Sequence, residues 1–409
     1  MLPHAASFVK YTRNVLNTVA NQTIISMVAG ETSGDLLASR LLSGLRPQLP
    51  DAVMHGIGGP KMAEYGFVSD WPMDKLSVRG IFEVLLHYRE ISGIRKQLCQ
   101  HLLAEKPDVF IGVDAPDFNL DLEIRLKQAG IPTMHYISPS IWAWRGGRIN
   151  KIAQAVSHML VIFPFEEAIY RKAGIPVTYV GHPLAQVIPL EPDMEAARDE
   201  LGIARDATVV TILPGSRMSE IKYNTEAFVR AAKILCQRDR HLQILVPMVG
   251  EKQRAYYIKL VVAARLDGVP VLLINGRSHT AIAAANAVLV ASGTATLEVA
   301  LFKKPMVIAY KMMEASWQIM KHMGYQPWVG LPNVLAQEFV VPEFLQSAAT
   351  PEALANALWQ QLNDASMQDE LKQRFTDMHH TLLRDTAKVS ADAVLELIAS
   401  HRSASCAPC

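Results

Sequence analysis

Residues 110–120 read FIGVDAPDFNL, an apolar run that ends in two carboxylates, Asp114 and Asp117, around Ala115 and Pro116. A carboxylate fixed at the end of a buried strand can take a proton from a hydroxyl, so Asp114 is the first candidate for a general base. Asp117 is expected to cap a helix starting near Phe118, with Pro116 blocking further strand pairing. Two other stretches have the makings of an anion site. LPGSR, residues 213–217, sets Gly215, Ser216 and Arg217 between an apolar run and a helix-period segment beginning near Met218. Backbone N–H groups at a helix start, with a guanidinium beside them, attract phosphate. ASGTATLE, residues 291–298, repeats the arrangement: Ser292 ends a run, Gly293 permits close backbone approach, Thr294 and Thr296 open a helix, and Glu298 lies in its first turns. That glutamate can accept both hydroxyls of a ribose, or merely complement the helix dipole for about 0.3–1 kcal/mol. Neither loop is GxxxxGK[ST] or GxGxxG, and the chain has no Asp-x-Asp. A nucleoside diphosphate neutralised by arginine and helix termini is therefore expected, rather than one chelated through a metal.

The remaining candidates carry two readings each. Glu31, Ser33 and Gly34, in VAGETSGD, either face a sugar or phosphate or form a serine-capped helix start. Trp142 and Trp144 either stack on a ligand or pack, and His182 either lines a cleft or is a satisfied structural histidine. In residues 76–98, Ile81, Val84, Leu85 and Tyr88 recur at helical spacing beside Phe82, rimmed by Arg79, Arg89, Arg95 and Lys96. Such a stripe faces either a core or an anionic lipid surface.

Apolar runs alternating with helix-period segments position these residues. TIISMVAG, DVFIGVD, PTMHYIS, MLVIFPF and VTYVGHP form one series, and TVVTILPGSR, LQILVPM, VPVLLING, AVLVASG and PMVIAY a second. Strand and helix in alternation predict parallel sheets covered on both faces, here two doubly wound α/β domains. The expected layout is an extension over 1–22, a first domain over 23–188, a second over 189–349, helices over 350–401 and a polar tail over 402–409. Leu354, Leu358 and Leu362, then Val394, Leu395 and Ile398, form stripes that need a partner surface. Ligands of such sheets bind at the carboxyl ends of the strands, so a cleft between the two domains is expected.

The 409-residue chain is long enough for two cores, and its 40 basic and 39 acidic residues leave a net charge of +1. That balance argues against nucleic acid as partner. Half the residues are hydrophobic, mean hydropathy is +0.13, and no uncharged apolar run of about 18 residues occurs, so a spanning helix is not expected. Of the four cysteines only Cys406 and Cys409 are close, in a CAPC that supplies half of a zinc site at most. Few cysteines and no secretory signal point to a reducing cytoplasm.

VAGETSGD, VDAPDFN, HYISPSIWAWR, FPFEEAIYRKAGIPVTYVGHP, LPGSR, ASGTATLE and LPNVLA, in this order over roughly residues 23–395, resemble the lipid-A-disaccharide synthases. The resemblance implies a GT-B fold of two Rossmann-like domains. It implies a metal-independent, inverting transferase without cofactor that joins UDP-2,3-diacylglucosamine to 2,3-diacylglucosamine 1-phosphate. It further implies work at the inner face of the inner membrane, and a homodimer with C-terminal segments crossing back or swapped. Asp114 matches the proposed catalytic aspartate, and Asn333, in LPN, a position tied to activity that would orient acceptor or diphosphate. Arg217 is then assigned to the diphosphate and Glu298 to the ribose. Other UDP-sugar enzymes, epimerases or muramyl-type transferases, share this architecture, and a non-catalytic lipid or nucleotide binder is the remaining alternative.

Overall fold

The computed structural model describes residues 22–76, 81–143, 146–321 and 326–405, without the side chains of 81–88, 319, 320 and 405. The chain divides into two units, Met1–Pro183 with Arg384–Cys409, and Leu184–Leu383.

The first unit is built on a seven-stranded parallel sheet. Its strands are β1 (Ile24–Ala29), β2 (Val53–Gly58), β3 (Val68–Pro72), β4 (Val109–Val113), β5 (Thr133–Tyr136), β6 (His158–Val161) and β7 (Val177–Tyr179), in the order β3-β2-β1-β4-β5-β6-β7. Every residue of β4 and β5 is buried, because helices cover both faces and the strands can be apolar throughout. Ile25, Met27 and Ile111 pack on Leu41, Leu42 and Val394 on one face, while Val28, Ile57 and Phe110 meet Leu98 and Leu102 on the other.

Val394 belongs to the helix Thr386–Ser405, which returns to the first unit and lies against the helix Thr32–Leu45. Two contacts fix that return. At Gly44 an added Cβ would stand 2.2 Å from the Ala387 carbonyl oxygen, so the helices approach as closely as a glycine allows. Further along, Arg402 donates from Nε at 3.0 Å and from Nη2 at 2.8 Å to Asp108 Oδ1, and the other Asp108 oxygen accepts from the Ile24 N–H. The C-terminal helix thus packs with the first unit. The helices Pro351–Asn363 and Ala365–Leu382 stay with the second unit.

Beyond the ends of β5 and β6 the first unit buries an aromatic and polar cluster. Trp142 stands edge-on to Phe165 at 5.4 Å, Phe163 stacks on Phe165 at 5.7 Å, and His182 lies 5.3 Å from Phe163. Trp142 is half-buried against Phe163 and Phe165, and His182 is buried against Phe163; Trp144 lies outside the described residues. Inside the cluster Glu166 accepts from the Phe163 N–H at 3.1 Å, and the Ser138 and Tyr170 hydroxyls share a 2.6 Å bond. Burial pushes the Glu166 carboxyl up to about 7 and the His182 imidazole down to about 4.

The second unit holds a six-stranded parallel sheet of β8 (Val209–Leu213), β9 (Gln243–Met248), β10 (Val271–Asn275), β11 (Ala287–Ala291), β12 (Met306–Tyr310) and β13 (Glu343–Leu345). The order β10-β9-β8-β11-β12-β13 repeats the winding of the first sheet. Its core joins Val210, Ile212 and Leu289 to Phe228, Leu235, Leu354 and Leu358 from the helices Met218–Arg238 and Pro351–Asn363. The stretch at which the second domain was expected to begin contains a helix Met194–Leu201. Asp193 caps it by accepting from the Ala196 N–H at 2.9 Å, and Gly202 ends it in the left-handed region.

Two stability predictions follow from this packing. Gly44→Ala should lower the free energy of unfolding by about 1–3 kcal/mol through overpacking. Gly93→Ala, at a helical position with nothing within 4 Å, should raise it by about 0.5–1 kcal/mol; equal effects in denaturant titration would refute the close crossing. The second concerns pH. Glu166 keeps its proton in the folded chain up to about 7, whereas the unfolded chain loses it near 4.5, so wild-type stability falls as pH rises across that window. Glu166→Gln removes this slope, and its stability relative to wild type should grow by roughly 3 kcal/mol between those pH values. A difference independent of pH would contradict a buried neutral carboxyl.

Candidate active site

Strand order reverses between β1 and β4, and the helices that follow these strands go to opposite faces of the sheet. Asp114 is the first residue beyond β4. It and Ala115 adopt φ of 53° and 43°, left-handed values that non-glycine residues take at a cost of about 1–3 kcal/mol each. The surroundings hold that shape. The Asp114 N–H donates to the Tyr136 carbonyl at 3.0 Å, the Phe118 and Asn119 N–H groups to the Ala115 carbonyl at 3.0 Å, and Asn119 Nδ2 to the Asp114 carbonyl at 2.8 Å. The Asp114 side chain is half-buried, and its carboxylate has no hydrogen-bond partner among the described residues. A strained turn that displays an unpaired carboxylate has the form of a catalytic position.

Beneath the turn lies a polar cluster that the sequence reading left unassigned. Asn119 is fully buried, and close by Glu123 Oε1 meets His135 Nδ1 at 2.7 Å with both side chains fully buried. Burial pushes the Glu123 carboxyl up, against the opposing pull of His135. The cluster presses on β4 itself, for a Cβ at Gly112 would stand 2.2 Å from Glu123 Oε1 and 2.8 Å from Asn119 Cβ. The glycine of FIGVD is the sequence trace of this packing.

Asp117 differs from expectation. The helix opens at Pro116 with Ala115 as its N-cap, and Asp117 lies in the first turn with its side chain exposed, paired with Arg148. Glu31 is the N-cap of the helix Thr32–Leu45, so the serine-capped start is not what forms, and Ser33 is exposed. Gly34 is buried, and an added Cβ there would stand 3.5 Å from Ala29 Cβ and 3.6 Å from the Val113 carbonyl oxygen. Gly30 brings this loop to the Asp114 turn, where an added Cβ would lie 3.3 Å from Ala115 Cβ.

In the second sheet the order reverses between β8 and β11, and both predicted anion loops leave these strands. Gly215 has φ 118°, and a Cβ there would also stand 2.3 Å from Glu220 Cβ. The N–H groups of Ser216 and Arg217, expected to cradle phosphate, donate instead to Glu220 Oε2 at 3.0 and 3.1 Å, while Arg217 Nη1 reaches Oε1 at 2.9 Å. The anion at this helix start is thus the chain's own carboxylate, which accepts from the N-cap backbone and the residue before it. The loop presents outward the Arg217 guanidinium, 79% exposed, and the exposed Ser216.

After β11, Gly293 turns at φ 146° and is exposed, as is Thr294. Ser292 and Thr296 face inward: the Ser292 hydroxyl donates to the Val329 carbonyl at 3.0 Å, and Thr296 Oγ1 donates to the Gly293 carbonyl at 2.8 Å and accepts from the Leu331 N–H at 3.1 Å. Glu298 is half-buried, with Oε2 3.4 Å from His279 Nε2. His279, missed from sequence, rests on Phe302 at 5.3 Å.

Asn333 is wholly buried with its amide saturated. Nδ2 donates to the Val341 carbonyl and to Glu343 Oε1, both at 2.8 Å, and Oδ1 accepts from the Val340 and Val341 N–H groups at 2.8 and 2.9 Å. It has no group to offer an acceptor or a diphosphate. It holds Glu343, which accepts from the Val329 and Gly330 N–H groups and so shapes the loop tied to Ser292 and Thr296. Ile81, Phe82, Val84 and Leu85 lie on the helix Ile81–Glu105, and their side chains are outside the described residues.

The fold is shared with solved structures of low sequence identity. A UDP-GlcNAc 2-epimerase from Neisseria meningitidis bound to UDP-GlcNAc superposes with a TM-score of 0.61 at 10% identity, covering 92% of this chain and 100% of that one. MurG from Acinetobacter baumannii does so with a TM-score of 0.54 at 14% identity, covering 92% and 99%. Both sheets thus belong to the GT-B architecture. In sequence, the lipid-A-disaccharide synthase of Aromatoleum aromaticum is 52% identical over 373 residues, 91% of this chain and 95% of its own length. That of Dechloromonas aromatica is 53% identical over 377 residues, 91% and 98%. Residues 25–397 match the profile of the family described as Lipid-A-disaccharide synthetase: the chain belongs to the lipid-A-disaccharide synthase family.

Proposed function

We propose that the chain transfers the 2,3-diacylglucosaminyl group of UDP-2,3-diacylglucosamine to the primary hydroxyl of 2,3-diacylglucosamine 1-phosphate, with Asp114 as general base and Arg217 as the neutralising charge. The observation that carries the assignment of the base is the unpaired Asp114 carboxylate on a strained turn at the first strand-order reversal. The acceptor oxygen gives its proton to Asp114 and forms a bond to the anomeric carbon. The bond from that carbon to the diphosphate breaks, and its electron pair leaves with UDP, so the configuration inverts. Arg217 meets the charge that grows on the diphosphate, without a metal. Ser216 and the open N–H groups around Gly293 and Thr294 add donors, and Glu298, steadied by His279, receives the ribose hydroxyls.

Glu31 and Ser33 flank the Asp114 turn and are assigned to the acceptor. Asn333 is a positioning residue that acts through Glu343 on the loop beside Ser292 and Thr296. Because donor and acceptor both carry acyl chains, the enzyme works on a bilayer surface, the cytoplasmic face of the inner membrane, as a homodimer. No described helix is long and apolar enough to cross a membrane.

Asp114→Asn keeps shape and removes basicity, so turnover should fall roughly 10²- to 10⁴-fold while UDP affinity, by calorimetry, stays near wild type. Arg217→Ala should weaken UDP binding and turnover together. Asp117→Asn should leave both nearly intact, since that carboxylate is exposed and already paired. Loss of turnover in Asp117→Asn with full activity in Asp114→Asn would reverse the assignment. Conversion of the UDP-sugar to an epimer without acceptor would point to an epimerase instead.

A further inference from the structure

On β2, successive side chains alternate between faces, and His55 shares with Ile57 the face covered by the helix Ile81–Glu105. The residue is 6% exposed. Nδ1 lies 2.7 Å from Asp70 Oδ2 on the edge strand β3, and Nε2 lies 2.9 Å from Glu105 Oε2 at the end of the helix. One turn earlier on that helix, His101 Nε2 stands 4.0 Å from the same Glu105 oxygen. Donor atoms of His55, Asp70 and His101 all fall within 4.8 Å of one another.

The proton inventory of this cluster is unusual. In the tautomer that donates from Nδ1 to Asp70, the His55 Nε2 carries a lone pair. That lone pair confronts a carboxylate oxygen, and both atoms are buried without a hydrogen-bond partner although only 2.9 Å separates them. Two such atoms repel unless a cation lies between them. Two ligands held about 2.0–2.1 Å from one tetrahedral ion stand about 3.4 Å apart, a value bracketed by the 2.9 and 4.0 Å separations here. A carboxylate behind the imidazole, as Asp70 stands behind His55, is the usual support of a metal-binding histidine.

We infer a divalent transition-metal site, of the zinc class, with His55 Nε2, a Glu105 carboxylate oxygen and His101 Nε2 as ligands and Asp70 orienting His55. Mixed imidazole and carboxylate donors suit such an ion better than calcium or magnesium. His101, 51% exposed on its side chain, provides the entry path. Glu105 precedes β4 and Asp114 follows it, so the site lies at the opposite end of the strand from the proposed base. Its effect is to clamp the edge strands β2 and β3 to the helix that covers them.

The test uses the full chain carrying Cys406→Ser and Cys409→Ser, which removes the thiols of the CAPC sequence. Competition of Zn²⁺ against a chromophoric chelator should give one ion per chain, and Co²⁺ should produce visible d–d bands. His101→Ala and Glu105→Gln should each weaken Zn²⁺ at least tenfold and abolish the Zn²⁺-dependent rise in Tm. His101→Ala, at an exposed position, should keep wild-type transferase turnover. Zn²⁺ affinity equal in parent and variants would overturn the proposal. So would absence of Zn²⁺ binding with nitrogen NMR showing His55 doubly protonated, which would make the intervening cation a proton.

Discussion

In a parallel sheet every strand delivers its carboxyl end to the same edge, and where the strand order reverses, neighbouring loops run to opposite faces and leave a crevice. This chain has two such reversals, between β1 and β4 and between β8 and β11. The residues with chemical potential collect at both. Asp114 and the Glu31 loop stand at the first, Arg217 and the Gly293 loop at the second. Burial of both faces makes each sheet rigid by itself, because β4, β8 and β11 have no exposed residue and cannot shift without opening a core.

Rigidity is used differently at the two places. At the first, packing sustains two consecutive left-handed residues, and the side chain of Asn119 closes the turn from below. Strain of this kind persists only where the surroundings over-determine it, and the buried Asn119 with the neighbouring Glu123–His135 pair provides that support. At the second, an internal carboxylate satisfies the helix start. Glu220 takes two backbone donors and one guanidinium N–H, so Arg217 is aimed without being consumed, its side chain still largely in solvent. A diphosphate that arrives there meets a side-chain cation rather than a bare helix terminus.

Much of this was legible in the sequence, for physical reasons. Fully covered strands read as continuous apolar runs, so the loops that carry Asp114, Arg217 and Gly293 could be placed at the carboxyl ends of strands. What escaped depended on partners remote in sequence. Asn333 reads as a loop asparagine until Glu343 and the Val340–Val341 backbone close around it. Glu220 lies three residues into its helix behind an arginine, not one of the usual capping residues, so its claim on the backbone donors was hidden. Asp117 was misread because the N-cap fell two residues earlier, on Ala115. The stripe Val394, Leu395 and Ile398 announced a buried face, but only the fold showed that this face belongs to Leu41 and Leu42 in the first unit.

The central claim is that nucleotide and base are divided between the two reversals. A crystal structure of the full chain with UDP tests it most directly. The account predicts the diphosphate within hydrogen-bond distance of the Arg217 guanidinium and the Thr294 N–H, the ribose hydroxyls on Glu298, and the Asp114 carboxylate free of nucleotide. A diphosphate bound instead at the Glu31 loop, with Arg217 still turned to solvent, would contradict it.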